Sequence, residues 1–242
     1  MCFWFNCFMV DFKNIKQEHL WYVVGLIATD GNLSSNGRHI NITSKDRDYL
    51  FLVRDALGLH CEIGRKANGS IREKKYSVLQ FSDVIFYEYL KSIGLFPRKS
   101  LTLGKLTIPQ KYFPDFFRGV IDGDGCISTW IHKTNGYRQW SLFIVSAASV
   151  FISWLKFEAE DYFDVRGRLY TSLDKGKKNP INRLKFGKLA AKVIINQTYY
   201  DGALCLERKD LKGKLCLLDP SLMVNYGGVI GPGAATGQTG LT

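Results

Sequence analysis

Val23-Val24-Gly25-Leu26-Ile27-Ala28-Thr29-Asp30-Gly31 and Phe117-Arg118-Gly119-Val120-Ile121-Asp122-Gly123-Asp124-Gly125 are two versions of one segment. Gly, an aliphatic residue, Ile, Asp and Gly recur at equal positions, and Asp124 follows Asp30 by 94 residues. A fixed internal period points to a duplicated structural unit. Each segment reads as an apolar helix ending in Asp-Gly. Gly25 and Gly119 have no Cβ, so two such helices can pack with their backbones close together. Gly119 and Gly123 lie four apart on one helix face, as do Gly25 and Thr29. Side-by-side packing would then bring Asp30 and Asp124 to the same end of the seam.

The surroundings repeat as well. Asn-Gly between alternating strands marks a tight hairpin, because a type I′ turn needs φ > 0 at both central residues. It occurs at Asn36-Gly37, Asn68-Gly69 and Asn135-Gly136, and a longer turn over 174–180 completes the set. In the first hairpin Ile40 and Ile42 share one strand face, and His39, Asn41 and Thr43 the other. Helices separate the hairpins. One is expected over 46–57, with Tyr49, Leu52, Val53 and Ala56 as its apolar stripe and Gly58 as its stop. Another covers 84–93, capped by Asp83 and ended by Gly94. Ser149 is expected to cap a helix over 150–163, and 188–200 forms a further one. Arg98-Lys99-Ser100-Leu101 closes the first half and Arg208-Lys209-Asp210-Leu211 the second. The expected fold is α+β: a pseudo-twofold tandem αββαββα repeat with halves at 15–103 and 112–212, joined by 104–111. The tail over 220–242 holds much Gly and no charge and is expected to be disordered.

Two carboxylates at close quarters repel unless a proton or cation lies between them. Hard divalent cations take oxygen ligands and keep several waters. Such a site suits phosphoryl chemistry, in which metal activates a water and steadies the leaving oxygen. Asp122 is the weaker acid candidate. Its counterpart is Ala28, so it is expected to be solvated or to sit behind the paired acids.

The two nine-residue segments resemble the LAGLIDADG motif of homing endonucleases, and the resemblance extends over roughly the whole repeat. It implies a site-specific double-strand DNA endonuclease that uses Mg²⁺ or Mn²⁺. It also implies two antiparallel sheets forming a saddle over duplex DNA, with the motif helices at the interface. The last Asp of each motif would bind catalytic metal, here Asp30 and Asp124, helped by the carbonyls of Thr29 and Gly123. A lysine beyond the third helix of each half would assist catalysis, here Lys99 and Lys209. The first segment departs from the motif at Val23, Val24, Ala28 and Thr29, none of them the metal position. Some members of the family assist RNA splicing, so an intron maturase on the same fold, with intron RNA as partner, is the alternative. Both halves in one chain imply a monomer.

Charge agrees with a phosphate-rich partner. The chain of 242 residues has 33 Lys and Arg against 22 Asp and Glu, a net charge of +11. Such a basic balance is the footprint of nucleic acid or an anionic surface. The second hairpin of the first half carries Arg65, Lys66, Arg72, Lys74 and Lys75 against Glu62 and Glu73. Its counterpart carries Arg166, Arg168, Lys175, Lys177, Lys178, Arg183, Lys185 and Lys188 against Asp174. A two-stranded ribbon fits the major groove and can reach base edges. Arg38, Asn41, Arg138, Gln139, Arg168 and Arg183 are strand candidates for DNA contact, together with Arg65, Lys66, Arg72, Lys74, Arg166, Lys177 and Lys185.

Other classes are disfavoured. Apolar residues make up 46% of the chain, enough to bury a sizeable core and too many for a disordered chain. Six cysteines show no Cys-x-x-Cys pair and four histidines are scattered, which argues against a zinc module or disulfide scaffold. No apolar run approaches the roughly 20 residues of a membrane span. Met1–Val10 lacks the basic flank of a secretory signal, so an intracellular location, in the cytoplasm, nucleoid or an organelle, is expected.

Overall fold

The computed structural model describes residues 9–68, 71–173, 176 and 178–220. Gly69 of the Asn68-Gly69 turn, residues 174, 175 and 177 of the 174–180 turn, and the tail beyond Pro220 lie outside the described residues. The first half runs α1 (Gln17–Thr29), β1 (Gly31–Leu33), β2 (His39–Ser44), α2 (Arg47–Ala56), β3 (Ile63–Asn68), β4 (Ile71–Ser82) and α3 (Val84–Ser92). The second runs α4 (Phe113–Asp124), β5 (Gly125–Ile131), β6 (Arg138–Ser146), α5 (Ser149–Phe163), β7 (Gly167–Ser172), β8 (Ile181–Phe186), α6 (Lys188–Thr198) and α7 (Glu207–Leu218). Each half holds a four-stranded antiparallel sheet, ordered β1-β2-β4-β3 and β5-β6-β8-β7. The expected α+β tandem repeat is therefore the observed fold.

Helices cover one face of each sheet. Ile40, Ile42, Leu79 and Phe81 point into the first core, and Ile127, Leu142, Ile144, Leu184 and Phe186 into the second. Burying each such side chain stabilises the fold by roughly 1.5–3 kcal/mol. Gly37 at φ 79° and Gly136 at φ 69° occupy the left-handed region that the Asn-Gly turns require. Asp83 caps α3 by accepting from Phe86 N at 2.9 Å, and its other oxygen accepts from Val10 N at 2.8 Å. One buried carboxylate thus starts a helix and ties down the chain before α1.

Two local expectations are corrected and a third is narrowed. On α2 the buried face is Tyr49, Leu50 and Val53, whereas Leu52 is 54% exposed. Leu50 and Leu57 fill the core instead, because the helix is rotated by about one position from the expected stripe. Ser149 does not cap α5: it is the first helical residue, and Ser146 Oγ accepts from Ala148 N at 3.2 Å. Asp122 is 3% exposed, which removes the solvated alternative and leaves it behind the paired acids.

The halves meet along α1 and α4. A Cβ on Gly25 would overlap the Phe116 carbonyl oxygen, and one on Gly119 would overlap the Tyr22 carbonyl oxygen. These are the same contact seen from each side of the pseudo-twofold. One turn further on, a Cβ on Gly123 would strike Thr29 Oγ1. The two helices therefore touch backbone to backbone, as the two glycines allow.

Candidate active site

Asp30 ends α1 and leads straight into β1; Asp124 ends α4 and leads straight into β5. The tight seam leaves the two carboxylates at one end, at the point from which both sheets start. Lys99 lies in the turn after α3, and Lys209 in the first turn of α7. The structure thus gathers all four residues into one cluster. Each aspartate feels the charge of both lysines, and Asp124 feels that of Asp30.

Both carboxylates reach solvent, yet the surrounding protein disfavours their charged forms. Burial first, then the Asp30 charge, pushes the Asp124 carboxyl up to about 6, against the pull of Lys209 and Lys99. Burial raises Asp30 too, opposed by Lys209, Lys99 and Arg208. Burial lowers Lys99 to about 8, opposed by Asp124 and Asp30. Burial lowers Lys209 likewise, opposed mainly by Asp122. Burial disfavours the charged form of a carboxyl, and at Asp124 the neighbouring Asp30 charge adds to it.

The lysines are not free arms. Lys99 is 7% exposed and its Nζ donates to the Gly31 carbonyl. Lys209 is 6% exposed and its Nζ donates to the carbonyls of Ile121 (2.5 Å), Asp122 (2.7 Å) and Gly123 (3.4 Å). The Gly123 carbonyl keeps a second lone pair. The Thr29 hydroxyl turns back on its own helix, donating to the Gly25 and Leu26 carbonyls. Among the described residues no group of three or more His, Cys, Asp and Glu gathers as a metal centre. The donor set is two carboxylates and backbone carbonyls, all hard oxygen. It fits a largely hydrated divalent cation and does not fit a closed zinc site.

The strand register sorts the other candidates. On the open face of the first sheet Asn32, Asn41 and Gln80 stand in one cross-strand row, and Lys66 lies beyond Tyr76. On the second, Cys126, Phe143, Lys185 and Arg168 form the equivalent row, flanked by Gln139, Arg183, Trp130 and Tyr170. The Lys185 ammonium lies 5.4 Å from the centroids of both Trp130 and Phe143. Two expected residues fall on the opposite face, because neighbours on a strand point in opposite directions. Arg65 follows Ser77 toward the helix side. Arg138 sits with Asp219, 3.7 Å away. Arg38 is exposed in the turn before β2. Arg166 is exposed before β7, 3.9 Å from Glu160. The side chains of Arg72 and Lys74, and all of Lys177, lie outside the described residues.

Sequence reasoning missed the buried polar network behind the site. Arg118 and Asp122 lie one turn apart on α4, where α1 has Val24 and Ala28. Arg118 pairs with Asp115 at 2.9 Å, and Asp122 accepts from Tyr22, Tyr199 and Leu206 N. The signal was present: two charged residues at helical spacing in an otherwise apolar segment, with no counterpart in the other half.

No protein-family model and no curated protein sequence matches the chain. Solved structures match its fold. The homing endonuclease I-WcaI bound to its DNA recognition sequence aligns with a TM-score of 0.54 at 13% identity, over 84% of this chain and 87% of that one. The LAGLIDADG homing endonuclease I-GzeII in complex with DNA target gives 0.52 at 14% identity, over 81% and 87%. The N-terminal LAGLIDADG domain of DUF199/WhiA gives 0.50 at 16% identity, over 81% and 86%. The chain spans 60% of the length of full-length DUF199/WhiA from Thermatoga maritima. The chain thus has the fold of the LAGLIDADG homing endonucleases, a fold that WhiA shares. Among the described residues no helix is long and apolar enough to cross a membrane.

Proposed function

We propose that this chain is a site-specific DNA endonuclease that hydrolyses phosphodiester bonds with Mg²⁺ or Mn²⁺. The observation that carries the reading is the pairing of Asp30 and Asp124, with a buried lysine from each half beside them. A fold used only to grip nucleic acid has no need to hold two carboxylates where their charge is disfavoured. Asp30 and Asp124, with the Thr29 and Gly123 carbonyls, would hold the cation. Bound there, it would supply an activated water and charge neutralisation at the phosphate. The open sheet faces bind duplex DNA in the major groove on either side of the site. Lys99 and Lys209 stabilise the charge that develops at the scissile phosphate and steady the carbonyls at the ends of the motif helices.

The test is cleavage of a duplex selected by binding. Asp30→Asn and Asp124→Asn are each expected to abolish double-strand cleavage while keeping DNA affinity. Lys99→Ala is expected to slow single-turnover cleavage by roughly 10²–10³-fold, the scale of one preorganised electrostatic contact. Lys105→Ala, a nearby linker lysine with no counterpart in the other half, is expected to cut at the parental rate. Tight, selective duplex binding by the parent with no Mg²⁺- or Mn²⁺-dependent cutting would sink the nuclease reading and leave a binding protein on the same fold.

A further inference from the structure

The two lysines of the site are held in different ways. Lys99 stands in a turn and reaches one carbonyl, that of Gly31. Lys209 stands on a helix and reaches three. That helix, α7, begins at the end of a short loop over 199–206, and both ends of the loop are fastened to α4. Arg118 donates to the Thr198 carbonyl at 2.7 Å and the Leu204 carbonyl at 2.9 Å. Asp122 accepts from Tyr199 Oη at 2.6 Å and from Leu206 N at 2.7 Å. Leu206 is the residue before α7, and its carbonyl accepts from Lys209 N at 2.8 Å. The Asp122 carboxylate is also held from α1, by Tyr22 Oη at 2.7 Å, which itself meets Tyr49 Oη at 2.5 Å.

One residue therefore fixes the start of α7 with its side chain and receives the Lys209 ammonium on its own backbone. The first half has nothing of the kind, because Ala28 stands at the place of Asp122 and Val24 at that of Arg118. We infer that Asp122 is a positioning residue for Lys209, and that the second half's site is built in advance in a way the first half's is not. The inference rests on the nuclease reading for its kinetic consequence and on the hydrogen bonds alone for its structural one. An isosteric amide at this position cannot accept from two tyrosine hydroxyls and a backbone N–H through both of its polar atoms, since one of them is a donor. The loop would slip, and a displacement of about 1 Å at a catalytic group costs roughly 10²-fold in rate.

The kinetic consequence is confined to one strand. With two lysines serving two scissile phosphates, loss of Asp122 disturbs the Lys209 side only. A general loss of folding would slow both strands alike.

Two measurements on Asp122→Asn and the milder Tyr199→Phe decide the matter. The first is acylation of lysines in the DNA-free protein by an amine-reactive ester, read by mass spectrometry with Lys99 as internal reference. Lys209 labelling is expected to rise about tenfold relative to Lys99 in Asp122→Asn, where loss of the carboxylate charge adds to loss of position, and by less in Tyr199→Phe, where the charge stays and a rise reports position alone. This arm needs no nuclease activity. The second is nicking of each strand of an end-labelled duplex. One strand is expected to slow by roughly 10²-fold and the other to stay within about twofold. Adding Asp122→Asn to Lys209→Ala is expected to cause no further loss on the slowed strand. Unchanged Lys209 labelling, equal slowing of both strands, or a further loss in the double variant would each overturn the assignment. A parent that cuts no DNA, with Lys209 labelling raised as expected, would overturn the nuclease reading and keep the positioning role.

Discussion

At the scale of single residues, the site is defined by charges the fold does not favour. The Asp124 carboxyl ionises near 6 in the folded chain and near 3.8 in an ordinary setting. Between those values the folded state binds a proton that the unfolded state has released. Stability from this group is thus fully present below about pH 4 and is lost as pH rises through about 6. Asp124→Asn removes the dependence. The metal-free variant is expected to melt at a higher temperature than the parent at pH 8 and at the parental temperature at pH 4. Adding Mg²⁺ is expected to close the gap at pH 8 by raising the parent alone, since a ligand of the folded state stabilises it by mass action. Equal melting differences at both pH values would show that Asp124 is not the titrating group. Sites that work commonly carry such a stability penalty, and the gain on removing it is the counterpart of lost activity.

At the scale of elements, the seam of α1 and α4 decides where everything else falls. Gly119→Ala forces a methyl group onto the Tyr22 carbonyl, a backbone atom that cannot step aside without moving α1. The expected loss is about 3 kcal/mol, at or beyond the upper end of ordinary overpacking. Gly104→Ala, with open space around it, is expected to change stability by less than about 0.5 kcal/mol. Chemical denaturation of the two variants, compared with the parent, measures both. The seam was legible in the sequence because close backbone approach demands glycine, and glycine at equal places in a repeat is hard to mistake. The hairpins were legible for the same reason, through Asn-Gly. The buried face of α2 was misread because Leu50 and Leu52 are equally apolar, and only packing against the sheet chooses between them. For Asp122 the repeat leaves two places open, in solvent or behind the paired acids, and burial chooses the second. Its partners Tyr199 and Leu206 lie far along the chain, so its particular hydrogen bonds could not be read from the motif.

At the scale of the whole molecule, the two open sheet faces offer unlike chemistry at equivalent places. The row Asn32, Asn41 and Gln80 is made of amides, which match the donor–acceptor pair of adenine in the major groove. The row Cys126, Phe143, Lys185 and Arg168 is apolar and cationic, and suits thymine methyl groups and guanine. Selection from a randomised duplex library is therefore expected to return unlike half-sites, adenine-rich on one side of the centre. A perfect palindrome would count against this. Affinity is expected to fall with salt by about 0.9 log units per neutralised phosphate for each log unit of salt.

The backbone contact between α1 and α4 also has a bearing on how such a molecule can change over time. Side chains at an ordinary interface can trade volume with their partners, so two surfaces drift together. Where glycine meets a carbonyl there is no volume to trade. The docking of the two halves is consequently frozen, while the sheet faces they carry are free to vary independently. One lineage of duplicated halves can in this way acquire new recognition surfaces, one half at a time, without realigning the carboxylates at the end of the seam.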